Sequence, residues 1–99
     1  MITIDSFKEF FNLYPSDVNQ SEFDRAYEVS KQRYISLLGL SAFPSTLTPI
    51  EEELVLHLIL LELLKKYNFL TGENTQRFSI NKVSEHIERL SWLIKTQTN

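Results

Sequence analysis

Leu54-Val55-Leu56-His57-Leu58-Ile59-Leu60-Leu61-Glu62-Leu63-Leu64 is the stretch that decides the fold of this chain. Nine of its eleven residues are aliphatic, so a helix built from them is apolar on nearly every side and has to be covered all round. That predicts a central helix. Its start is written just upstream. Thr48-Pro49-Ile50-Glu51 puts Thr at the N-cap, Pro at the first helical position where its missing N–H costs nothing, and Glu at the third position of a capping box. Glu52 and Glu53 add negative charge beside the positive end of the helix dipole. A membrane span needs roughly 20 apolar residues, and this shorter run is bracketed by Glu51–Glu53 and Lys65-Lys66. In a chain of 99 residues, so apolar a helix is hidden either by its own neighbours in sequence or by other subunits, which is a physical reason to expect a homo-oligomer.

Working outward, Ser6-Phe7-Lys8-Glu9 has the Ser-x-x-Glu spacing of a capping box and predicts a short first helix to about Leu13. Tyr14-Pro15 stops it, because the residue before Pro is pushed out of the α region, and Ser16 to Asn19 reads as a turn. A second helix is predicted after Ser21. Phe23, Ala26, Tyr27, Ser30, Tyr34, Leu37 and Leu38 recur there at helical spacing, the tyrosines are assigned to packing, and Gly39 stands where a helix end takes a left-handed residue. Leu40 to Leu47 is a connection whose Phe43 plugs back onto the core. Downstream of the central helix, Thr71-Gly72-Glu73-Asn74 is a turn signal, and Gln76-Arg77-Phe78-Ser79-Ile80 alternates like an extended strand. The last segment, Asn81 to about Lys95, has Val83, Ile87, Leu90 and Ile94 at helical spacing with Trp92 and Leu93 widening the face. Residues 96–99 are expected to fray. The sum is a single all-α domain over residues 1–99, a small bundle of about four helices around a central aliphatic one, with an extended loop or arm before the last helix.

Composition narrows the function. Hydrophobic residues make up 42% of the chain, enough for a core and against disorder. The absence of cysteine excludes thiolate nucleophiles, disulfides and Cys-based zinc sites. No secretory signal is read in Met1 to Asp5. The net charge of −3 does not suit general nucleic-acid binding. Residues 1–76 hold six Lys/Arg against eleven Asp/Glu, whereas residues 77–99 hold four against two, so a mildly basic tail is available to an acidic partner.

His57 and His86 lack the paired spacing of a zinc helix, and His57, one turn after Glu53, reads as a histidine paired with it at the core edge. Glu62 is placed to pair with Lys65 or Lys66. There is no nucleophile elbow, phosphate-cradling loop or Ser/His/Asp arrangement. The expectation is therefore no catalytic, cofactor or metal site, and a protein that works by binding other macromolecules. Helix-turn-helix DNA binding has only the final helix, with Asn81, Lys82 and Arg89, as a weak candidate.

Taken in order, these features resemble the head-to-tail connector (adaptor, or head-completion) proteins of tailed bacteriophages. The residues that carry the resemblance are Tyr14-Pro15 closing a short helix, Phe23 and Ala26 in a helix ending Leu38-Gly39, Leu56-His57-Leu58-Ile59 in an aliphatic helix, and a Gly-containing loop running into Arg77-Phe78-Ser79-Ile80. It covers about residues 6–84. Family members often show small residues beside that His and a loop richer in Gly and Ser, and this chain has neither. The resemblance implies a structural virion protein, made in the host bacterial cytoplasm and located at the virion neck. Its copies would form a ring, commonly of twelve, docked on the portal protein and meeting tail or neck proteins, with DNA passing through the channel without specific binding and no membrane contact. By the same analogy Thr71, Gly72, Glu73, Gln76, Arg77, Phe78 and Ile80 would form an inter-subunit arm. Val83, Ile87, Arg89, Leu90, Trp92, Leu93, Ile94 and Lys95 would form the portal-facing helix. The competing readings are a small helical regulator acting as a dimer, with weak DNA contact at most, and an enzyme accessory subunit.

Overall fold

The capping signals place the helices, and a computed structural model describing residues 2–66 and 78–97 shows four of them. They are α1 (Ile4–Phe10), α2 (Gln20–Leu38), α3 (Pro49–Lys66) and α4 (Ile80–Gln97). Among the described residues all regular structure is helical. α3 begins as the sequence predicts: the Thr48 N–H donates to the Glu51 carboxylate at 2.8 Å, and the Glu51 N–H donates to Thr48 Oγ1 at 3.4 Å. Gly39 closes α2 in the left-handed region, with φ of 65°.

Two starts differ from expectation. α1 opens at Thr3, with Ser6 as the third residue of the box: the Ser6 N–H donates to Thr3 Oγ1 at 3.1 Å and the Thr3 N–H to Ser6 Oγ at 2.8 Å. Ser6-x-x-Glu9 had the right letters, but Thr3-x-x-Ser6 closes the same reciprocal bonds one turn earlier. α2 opens at Asn19, whose side chain accepts from the Glu22 N–H at 2.9 Å while Glu22 reaches back to the Asn19 N–H at 3.2 Å. α1 also ends at Phe10, short of Leu13, because Asn12 turns to a φ of 55°.

α3 is the spine. It packs against α2 on one side and α4 on the other, and ten of the eleven residues from Leu54 to Leu64 are buried, all but His57. One chain therefore covers its most apolar helix unaided. Of the two ways to hide α3, its own neighbours in the chain are the one seen, so its apolar character gives no separate reason to expect further copies.

α2 contributes Phe23, Ala26, Ser30 and Tyr34 to the core. Ser30 is tolerated there because its hydroxyl donates to the Ala26 carbonyl at 2.6 Å, and Ser91 of α4 does the same to Ile87 at 2.8 Å. Leu37 leaves the predicted stripe and is exposed. Phe43 does plug back, its ring edge-on to Tyr34 at 5.4 Å. Burial, together with the nearby Glu51 carboxylate, pushes the Tyr34 phenol up to about 12. α1 caps the bundle through Phe7 and Phe11. α4 runs to Gln97, past the expected fraying point at Thr96, whose hydroxyl donates to the Leu93 carbonyl at 2.9 Å.

Candidate interaction surfaces

The final helix is amphipathic, and its two faces divide the residues assigned by analogy to partner contact. Val83, Ile87, Leu90 and Ile94 are buried against the rest of the bundle, so they hold α4 in place and cannot also face a portal. Arg89, Trp92 and Lys95 are exposed and Leu93 is half-buried. Trp92 is 63% exposed. The reason is registry: 83, 87, 90 and 94 recur every three to four residues and take the inward stripe, which leaves 89, 92 and 96 to the outside.

Of the predicted arm, Thr71, Gly72, Glu73, Gln76 and Arg77 lie outside the described residues. Phe78 is half-buried against the core, 5.8 Å from the Phe11 ring and edge-on to it, and Ile80 is the first residue of α4. Ser79 caps that helix, its Oγ accepting from the Lys82 N–H at 3.1 Å.

A second feature lies between α2 and α3. Glu62 is only 3% exposed although it carries a carboxylate. Its nearest cation is the Arg33 guanidinium of α2, 3.6 Å from Oε1, too long for a hydrogen bond. The sequence pointed to Lys65 or Lys66 on its own helix, but both are exposed and the ion pair crosses to α2 instead. Glu62 lines an open cleft of about 450 Å³ with Asp24, Ala26, Glu28 and Val29, rimmed by Arg25 and Lys66. Arg33 itself lines a separate cleft of about 350 Å³ with Leu37, Ile87 and Glu88.

The third feature was not legible in the sequence. His57 of α3 and His86 of α4 meet with ring centroids 4.3 Å apart and planes tilted by 40°, beside Phe11 at 5.2 Å from His57. They share a small recess with Phe78, Ser79 and Lys82. His57 is anchored through the main-chain carbonyl of Glu53, 2.8 Å from Nδ1. A carbonyl only accepts, so Nδ1 carries the proton and Nε2 is the bare nitrogen of the neutral ring. Burial, reinforced by His86 and opposed by Glu53, holds the His57 ring below the ordinary 6.5. A folded-state value below the unfolded one means protonation favours unfolding. Stability is full above about pH 6.5 and falls as pH drops below it. The melting temperature should accordingly fall between pH 7.5 and 5.5, and His57→Phe should flatten that dependence. An unchanged slope in the variant would remove His57 as its source.

Among the described residues no group of three or more His, Asp or Glu is gathered to hold a metal ion, and no helix is long and apolar enough to cross a membrane. Comparison with protein families, with characterised proteins and with solved structures finds no match to this chain.

Proposed function

We propose that this chain is a protein-binding structural subunit, a head-to-tail connector of a tailed phage that docks on the portal through the outer face of α4 and joins further copies of itself. The observation that carries the reading is Trp92. Tryptophan and arginine dominate binding energy at protein interfaces when they stand on a rigid element, and here Trp92 is 63% exposed one turn after Arg89 on a helix anchored by four buried residues. The phage context is supported by the order of elements and residue types that resembles connector proteins, and by an acidic balance, which does not grip passing DNA. On α4 the exposed Lys82, Arg89 and Lys95 are accompanied by the exposed Glu85 and Glu88, a charge mixture that favours a protein partner over a row of phosphates.

Trp92→Ala should weaken binding to a portal ring at least about tenfold, the scale of an interface hot spot, with unchanged helicity by circular dichroism. Leu40→Ala, at another exposed apolar residue, should leave it unchanged. Equal binding by both variants in a sedimentation assay would remove α4 as the docking face.

A further inference from the structure

We propose that His57 and His86 together form an open two-imidazole site for a divalent transition-metal ion, copper(II) or nickel(II), which clamps α4 onto α3. The site does not depend on the portal reading.

Neither helix carries two histidines, so only the fold brings the pair together. His57 is prepared as a ligand. Its Nδ1 is tied to the Glu53 carbonyl, 2.8 Å away, the kind of outer bond that fixes tautomer and ring orientation in metal-bound histidines and leaves the Nε2 lone pair free. Burial holds the ring below its ordinary value, so at neutral pH it is uncharged, as a ligand has to be. His86 is half-buried beside it. Its χ2 is a soft torsion, so turning a nitrogen toward the ion requires no movement of α4.

Spacing selects the ion. A metal–imidazole bond is about 2.0–2.1 Å, which puts the ion about 3.2 Å from the ring centroid; two ligated rings are then about 4.5 Å apart for a right angle at the metal and about 5.2 Å for a tetrahedral one. The observed 4.3 Å matches the right angle of the square-planar or tetragonal sites of copper(II) and nickel(II), and is short for tetrahedral zinc. The recess of about 200 Å³ that both rings line has room for waters to complete the coordination. Lys82 lines it as well, but is exposed, and its flexible stem lets the ammonium stay in water. The two ligands lie 29 positions apart in the chain and on different helices, so the folded bundle presents both at once and a bound ion stabilises it.

The test titrates the full-length protein, first stripped with a chelator, with copper(II) and nickel(II) by calorimetry. One ion per chain is expected, and saturating nickel(II) should raise the melting temperature by more than about 4 °C. His57→Phe and His86→Gln should each lower the affinity at least about tenfold and abolish that rise. His86 is only half-buried, so His86→Gln keeps the readout if His57→Phe fails to fold. In the copper(II) form, electron paramagnetic resonance should show coupling to two imidazole nitrogens. Coupling to one alone, or affinity that survives either substitution, is adventitious capture by a single histidine or the amino terminus and overturns the proposal. So does the absence of binding at about 1 mM metal, which leaves an affinity too weak for a site.

Discussion

Phe7→Ala is expected to remove about 3–5 kcal/mol of stability, the range for truncating a fully buried aromatic. The site has no slack. Phe7 is 0% exposed and sits between Phe11 at 5.2 Å and Phe23 at 5.7 Å, so truncation loses both ring contacts and opens a cavity between α1 and α2. α1 has seven residues, far fewer than the roughly 12–15 a helix needs to be even marginally stable alone. It is held by what it buries. A domain of this size is typically stable by about 5–15 kcal/mol, so the variant loses a large share of the total. The melting temperature should drop by more than about 12 °C, read by thermal circular dichroism. Phe10→Ala is the internal comparison, since Phe10 is 48% exposed, and it should have a much smaller effect. Similar losses for the two would mean that α1 is not held by Phe7.

The Arg33–Glu62 pair should respond asymmetrically. Arg33→Ala leaves a buried carboxylate with no cation. Removing one partner of a fully buried pair costs about 3–5 kcal/mol; the Arg33 side chain is 38% exposed, so solvent screening reduces the expected loss to about 1–3 kcal/mol. Glu62→Leu removes the charge itself and leaves a hydrophobe of similar size in its buried place. It should be neutral or stabilising by about 1–4 kcal/mol, because replacing a buried ion pair with apolar side chains commonly is. The remaining Arg33 reaches water. In the double variant the Arg33→Ala penalty should vanish, a coupling that urea unfolding measures directly. A destabilised Glu62→Leu would mean that the carboxylate contributes net stability to the fold.

The spine of this fold was readable because its signals are local. Thr48-Pro49-Ile50-Glu51 and Leu38-Gly39 each specify a helix end within four residues, and an aliphatic run from Leu54 to Leu64 has nowhere to go but the middle. The inward stripe of α4 was equally plain from periodicity. What periodicity could not separate was the role of that stripe: Val83, Ile87, Leu90 and Ile94 read as an apolar face, and only packing shows that the bundle itself occupies it and leaves Trp92 outside. The helix starts at Thr3 and Asn19 were misplaced by two to three residues, because Ser6 and Ser21 are also good capping residues and the choice is made by the turn geometry between the helices. The functional features depended most on tertiary structure. Glu62 in an aliphatic run signals a buried carboxylate that needs a cation, but nothing local distinguishes Lys65, Lys66 and Arg33. The contact of His57 with His86 joins residues 29 positions apart in the chain, and nothing around either histidine announces it.

The account turns on whether this chain assembles on a portal in many copies. Native mass spectrometry of the full-length protein mixed with a portal ring, wild type beside Trp92→Ala, reads that directly. The account predicts a complex carrying multiple copies of the wild-type chain and few or none of the variant. A wild-type protein that stays a stable dimer and ignores the ring would contradict it, and would assign the chain to the small helical regulators.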